Sequence, residues 1–257
     1  MKIREIKCKT ALSKSNLPGL DYSLNPYRGC EHKCVYCYVP NVLRINRDEW
    51  GNFVDVKKNI PVVLAKELRI KKPGVVGMST VTDPYQPIEE KYKITRFCLE
   101  QLLIHDFPAH IQTKSDLVIR DIDLFSKFSD IEVMFSIGTI NDEERQTLEP
   151  NSASVDQRLN AMEKISNLGI KTSVFFGPIY PTIKREDIKD IIQTFKEYGV
   201  KEIMIDKFNL KKEIYDNLKK HGIGNVEKIK YGLYYNQISE EIFNICKEKK
   251  VKASSAF

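Results

Sequence analysis

The chain has 257 residues, 42% of them apolar and 30% charged, with a net charge of +6 and six cysteines. That composition suits a globular protein with a sizeable core, and no stretch approaches the roughly 20 apolar residues of a membrane span. The N-terminus has early charges but no apolar signal core behind them, so the expected compartment is the cytoplasm, with no membrane partner.

Along the chain, a short β-branched run, a turn and a helical period recur. The first strand is expected at Tyr22–Leu24, ahead of a cysteine-rich loop. VVGMST (75–80) follows the amphipathic PVVLAKELRI, and AHIQTKS (109–115) follows TRFCLEQLLIHD. EVMFSIGTI (132–140) follows IRDIDLFSKF, KTSVFFGPIY (171–180) follows VDQRLNAMEKISNLG, and KEIMIDKFN (201–209) follows REDIKDIIQTFKEYG. Gly169 and Gly199 are placed to end helices in the left-handed conformation, and Thr95 and Ser154 stand where an N-cap is wanted.

Strands alternating with helices predict an α/β fold of βα units around a parallel sheet. The simplest closure is a partial (β/α)6 TIM-like barrel over residues 1–209; a flat doubly wound sheet is the alternative. Residues 210–257 read as a helical C-terminal extension packed on that core, clearest at 211–220 and 239–250. Polar residues gather where the strands end: Ser79, Thr80, Thr82 and Asp83, then Thr113, Lys114 and Ser115, then Ser136 and Thr139, then Pro178 and Tyr180. Ligands of parallel α/β folds bind at that rim, because the loops converge there.

The segment RGCEHKCVYCYVP sets Cys30, Cys34 and Cys37 in a C-x3-C-x2-C spacing. Three crowded thiolates repel one another, and a metal centre compensates them. A structural zinc site wants four ligands, no fourth cysteine is near, and His32 would be a cramped partner. A 4Fe–4S cluster on three thiolates keeps one iron open to a ligand. Gly29 is expected to give the backbone a close approach or a positive φ; Arg28 reads either as a donor to cluster sulfur or as surface. Cys98 and Cys246 fall in the apolar rhythm of helices and read as buried hydrophobes, while Cys8 has no assigned place. His105, His110 and His221 read as structural or exposed.

This spacing, with the aromatic Tyr36 before the third cysteine, resembles the radical S-adenosylmethionine (SAM) superfamily. NPYRGCEHKCVYCY, TDPYQPIEEKYKITR, TKSDLVIRD, FSIGT, LEP with a following RL, and GPIYP resemble, in order, the blocks of its spore photoproduct lyase-like subfamily, over residues 24–181. The resemblance implies a 4Fe–4S cluster whose open iron chelates SAM, and a one-electron reductant of flavodoxin or ferredoxin type. It also implies reductive cleavage to methionine and a 5′-deoxyadenosyl radical that takes hydrogen from a substrate. Carried over residue by residue, it puts Tyr36 at the adenine end of SAM, Thr82 and Asp83 beneath its amino group, and Lys114 and Ser136 at its carboxylate or ribose. Tyr36 and Tyr38 are the candidate radical relays; Tyr38 reads equally as packing. A glycine-rich motif after the second strand is usual in the superfamily, and MSTVTDPYQP stands in its place. The lyase's hydrogen-donating cysteine aligns with Thr80.

Three functions remain open on the sequence. The first is a radical SAM enzyme acting on nucleic acid, which suits basic ends: residues 1–60 carry +5 and 201–257 carry +4, against −3 between them. A Lys-rich solvated surface explains that asymmetry equally. The second is a radical SAM enzyme that modifies a peptide, an RNA or a small metabolite. The third, of another class, is a non-enzymatic iron–sulfur or zinc binding module.

Overall fold

The computed structural model describes residues 1–256 and, of Tyr231, the main chain. Its N-terminal part holds β1 (Lys2–Ile6), β2 (Leu12–Lys14), β3 (Tyr22–Leu24), β4 (Tyr27–Arg28) and β5 (Phe53–Lys57). The rest of the strands are β6 (Val76–Met78), β7 (Ala109–Thr113), β8 (Ile131–Ser136), β9 (Lys171–Phe176), β10 (Glu202–Ile205) and β11 (Lys252–Ser255). The helices up to the middle of the chain are α1 (Val39–Leu43), α2 (Ile60–Leu68), α3 (Ile88–Tyr92), α4 (Ile94–Ile104) and α5 (Ile122–Phe125). They are followed by α6 (Asp142–Leu148), α7 (Val155–Asn167), α8 (Arg185–Glu197), α9 (Lys212–Lys220) and α10 (Leu233–Lys249).

The main sheet runs β11-β10-β9-β8-β7-β6-β3-β2, parallel throughout except for β2 against β3. From β3 to β11 the spatial order follows the chain order without a reversal. A doubly wound sheet needs such a reversal; without it, right-handed crossovers keep the helices on one face and the sheet curls around the other. The architecture is therefore the expected partial barrel. Its central strands are buried along most of their length, as in β8, where Ile131, Val133, Met134, Phe135 and Ser136 are all buried.

Local chemistry sets several boundaries. Ser154 caps α7 in a capping box with Gln157, and Gly169 and Gly199 follow their helices with φ of +79° and +83°. Thr95 does not cap a helix. It lies inside the first turn of α4, with its hydroxyl donating to the Pro84 carbonyl and its N–H to Glu89. The C-terminal segment is not helical throughout either: after α9 and α10, Lys252–Ser255 pair in parallel with β10. KASS has little strand propensity of its own, and the open edge of β10 supplies the partner.

A small sheet, β1-β5-β4, stands beside the barrel. It leads β4 directly into Gly29, whose φ is +92° and where a Cβ would come 2.3 Å from the Phe53 carbonyl oxygen. Only glycine fits there, and the cysteine loop starts from that point. Arg28 leaves the loop and joins Arg4 on Asp55. Cys98 and Cys246 are buried in the helical layer, as expected. His105 and His221 each bond a carbonyl of their own helix, and His110 stands 3.8 Å from Glu132.

Candidate functional site

The loop from Cys30 to Cys37 crosses the rim of the barrel and is tied down by residues from the strand ends. Thr82 donates from its hydroxyl to the Gly29 carbonyl (2.6 Å), and Gln86 donates to Thr82 and accepts from the Glu31 N–H. The Tyr38 hydroxyl, on a ring 40% exposed, donates to the Thr80 carbonyl (3.1 Å). Asn25 accepts from the N–H groups of Thr80 and Val81. The loop is thus fastened to the segment after β6 at three places.

Asp83 organises the ends of β6 and β7. Its carboxylate accepts from Tyr85 N–H, Thr113 hydroxyl and Lys114 N–H, and His32 Nδ1 stands 3.3 Å away. Burial pushes this carboxyl up, but His32 and the donated hydrogen bonds outweigh it and bring its pKa to about 2. Thr82 and Asp83, carried over as partners of the SAM amino group, therefore have their polar atoms engaged within the chain.

A second anionic centre was not singled out from the sequence. Glu149, 1% exposed, meets Arg158, equally buried, at 2.6 Å. It also accepts from the hydroxyls of Tyr36 and Tyr180. Burial opposes its charge, yet Arg158, Lys114 and Tyr36 hold its pKa at about 2. Gly138 makes room for this group, since a Cβ there would strike the Tyr180 ring at 2.6 Å. Tyr36 also packs on Tyr180 and Phe208, with ring centroids 5.5 and 6.1 Å away. Beyond Phe208 opens a cavity of about 340 Å³, lined also by Ile179, Lys207, Tyr234 and Tyr235.

Lys114 lies between these two anionic centres. The residue is partly exposed; burial of its ammonium weakens the charge, while Glu149, Cys34 and Asp83 strengthen it more, so its pKa is raised. No carboxylate among the described residues stands within ion-pair distance of it. Ser136 is buried at the end of β8, its hydroxyl accepting from Gln112 and its carbonyl from Arg158.

The thiols lie close enough to couple: Cys37 raises the pKa of Cys30, and Cys30 and Cys37 raise that of Cys34. Burial is the larger cause, taking Cys30 to about 12, Cys34 well above its ordinary value and Cys37 upward. Among the described residues, no three His, Cys, Asp or Glu side chains converge as one small ion requires. Thiolates that bind different irons of a cluster need no common point. Five buried side-chain nitrogens or oxygens among the described residues have no hydrogen-bond partner. Four belong to the loop, the turn after it or the strand end tied to it: His32, Arg47, Trp50 and Ser79. His32 Nδ1 faces Asp83 at 3.3 Å; the Arg47 and Trp50 donors, which act on the Cys37 thiol, fit an acceptor-rich, negatively charged sulfide cluster. The spacing of the cysteines was the legible signal; Glu149 and Arg158 were visible only inside the blocks LEP and RL.

The radical SAM superfamily model matches residues 24–195. An uncharacterised protein of Methanocaldococcus jannaschii is 34% identical over 98% of this chain and 95% of its own. A radical SAM Nα-GlyT isomerase of Pseudomonas phage M6 is 25% identical, over 70% of this chain and 38% of its own length. Among solved structures, a cysteine-to-serine variant of spore photoproduct lyase superposes with a TM-score of 0.79 at 16% identity. It covers 99% of this chain and 82% of the lyase. The cysteine loop, the unreversed strand order and the thiol-bearing rim thus have a common origin: the chain belongs to the radical SAM superfamily and is a radical SAM enzyme with a spore photoproduct lyase-like fold.

Proposed function

We propose that Cys30, Cys34 and Cys37 hold a 4Fe–4S cluster and that Lys114 receives the carboxylate of SAM beside it. When bound, the cluster supplies the electron that splits SAM into methionine and a 5′-deoxyadenosyl radical, which takes hydrogen from the substrate. The observation that carries this reading is Lys114: a partly buried side chain at the barrel rim, held charged by Glu149, Cys34 and Asp83, with no carboxylate among the described residues in ion-pair range. A ligand carboxylate would complete it with a charge-assisted hydrogen bond. Ser136, whose hydroxyl accepts from Gln112, keeps its own proton to donate to the ribose or carboxylate. Asp83 and Thr82 hold the rim in shape, and the ring of Tyr36 closes the interior side, where its hydroxyl is bound to Glu149.

The substrate is read as nucleic acid, approaching from the cavity beyond Phe208 with Lys207 at its edge. Two things support that reading: the basic charge of both chain ends, and the fold shared with a spore photoproduct lyase complexed with dinucleoside spore photoproduct. Spore photoproduct repair itself is not part of the proposal. Thr80 stands at the aligned cysteine position, and an O–H bond is a far poorer hydrogen-atom donor than a thiol. A peptide or a small metabolite that gains or loses deuterium with labelled SAM would replace the nucleic acid reading.

The test is anaerobic incubation of reconstituted protein with SAM and dithionite, which should release 5′-deoxyadenosine and methionine. Lys114→Ala should keep its iron and bind SAM at least tenfold more weakly, the loss of one charge-assisted bond of about 1.5–3 kcal/mol. Unchanged SAM affinity in that variant would remove Lys114 from the site.

A further inference from the structure

The turn that succeeds the cysteine loop carries two buried donor atoms that no hydrogen bond of full geometry satisfies. Residues Arg47–Glu49 form a single 3-10 turn, capped by the Asn46 side chain on the Asp48 N–H and closed by the Trp50 N–H on the Arg47 carbonyl. In that geometry side chains three apart eclipse, so Arg47 and Trp50 leave the turn on one side. Trp50 is 3% exposed and packs with Cys30 and Val39, with Cys37 against the same group. Its indole Nε1 is buried and closes no hydrogen bond of full geometry with any described residue. The neighbour it faces is the Cys37 thiol, which it favours as thiolate through a side-chain hydrogen bond short of that geometry, while burial pushes the other way.

Arg47 repeats the pattern with a full charge. One guanidinium nitrogen donates to Asn41 (2.8 Å), which fixes the group, and Nε remains buried without a partner. No carboxylate among the described residues stands in ion-pair range of it, and burial lowers its pKa while Cys37 holds it up. A buried indole N–H without a good acceptor is destabilising, and a charged group more so. Two such groups on one turn, both acting on one cysteine, need an acceptor of high electron density. Three thiolates around an iron–sulfur core leave a net negative charge, and one-electron reduction adds to it.

We propose that Arg47 and Trp50 set the reduction potential of the centre by donating to the Cys37 sulfur or to an adjacent cluster sulfide. The inference rests on the cluster assignment to Cys30, Cys34 and Cys37. A hydrogen bond to sulfur stabilises the reduced, more negative state more than the oxidised one, so the two donors raise the potential. The pair makes the centre easier to reduce by the physiological one-electron donor.

The experiment has three arms, all on anaerobically reconstituted full-length protein. Iron and sulfide analysis of the parent checks the cluster assignment itself, independently of any potential. Electron paramagnetic resonance (EPR)-monitored redox titration then compares the parent with Trp50→Phe and Arg47→Gln. Each variant should keep its iron and sulfide and become about tenfold harder to reduce, a midpoint lower by ~59 mV for one electron. Variants with intact clusters and the parent's midpoint would overturn the proposal. The third arm needs no variant. Trp50 is the chain's only tryptophan, so indole-¹⁵N labelling marks a single atom. A ¹⁵N coupling in the pulsed EPR spectrum of the reduced parent is the expected result. Its absence overturns the Trp50 assignment even where Trp50→Phe fails to assemble a cluster.

Discussion

Two buried carboxylates of this molecule sit in networks that look alike and behave oppositely. Glu149, near the thiols, has Arg158 at 2.6 Å, Lys114 close enough to act on it, and the hydroxyls of Tyr36 and Tyr180. Glu89, on α3, has Arg120 at 2.6 Å, the Tyr27 hydroxyl and the Thr95 N–H. The first is held at a pKa of about 2, whereas burial raises the second above its ordinary range despite its donors. The difference is the cation supply. Arg120 is shared between Glu89 and the buried Asp121, and Arg96 divides itself between Asp121 and Asp123. Around Glu149 positive charge is in surplus. The Glu89 network uses up its charges internally; the Glu149 network keeps one over, Lys114, which the proposed function assigns to a ligand carboxylate.

The largest expected effect separates the two carboxylates. In the metal-free chain at pH 7, Glu149→Gln should cost about 3 kcal/mol, the linkage value of a carboxyl held roughly two units low. A loss of that size should lower the midpoint of thermal unfolding by about 6–12 °C for a chain of this length. The folded pKa is depressed, so this stability is fully present above the unfolded value of about 4.3 and is lost as pH falls toward about 2. Parent and Glu149→Gln should therefore converge in unfolding experiments as the pH drops from about 4.5 to 2. Glu89→Gln should cost clearly less at pH 7, because burial already disfavours its charge. Equal losses for both would erase the distinction.

A middle-sized effect concerns Thr80. In an anaerobic assay on synthetic dinucleoside spore photoproduct, the parent should give little thymine on multiple turnover. Thr80→Cys should give more, since a thiol then lies beside Tyr38 and can quench a product radical. Clean turnover by the parent would restore the repair reading. The smallest effect is that of Tyr38→Phe, which loses one half-exposed hydrogen bond to the Thr80 carbonyl. Calorimetry should register about 0.5–1 kcal/mol or less, with iron content unchanged.

The strands of the barrel were legible because their β-branched runs are bounded by turns and separated by helical periods, and the cysteines because their spacing is local. What was missed depends on partners distant in the chain. β4 has two residues and is a strand because β5 lies beside it; KASS is one because β10 has an open edge. Glu149 and Arg158 are ordinary charged residues until the fold brings Tyr36 and Tyr180 to the same point. Trp50 carries no signal in the sequence, and the burial of its indole N–H without a full-geometry partner exists only in three dimensions. Thr95 has the chemistry of a cap, but Glu89 and Pro84 engage its N–H and hydroxyl instead.

The proposed chemistry rests on a cluster at Cys30, Cys34 and Cys37 next to a SAM site at Lys114. The most direct measurement is EPR of dithionite-reduced, anaerobically reconstituted protein with and without SAM, alongside iron and sulfide analysis. The expected result is about four irons and four sulfides per chain, with a reduced-cluster signal that SAM reshapes in the parent and leaves unaltered, at the same concentration, in Lys114→Ala. Replacing the three cysteines together with Ala should abolish the signal. One zinc ion per chain without labile sulfide, or a cluster signal indifferent to SAM in the parent, would contradict it.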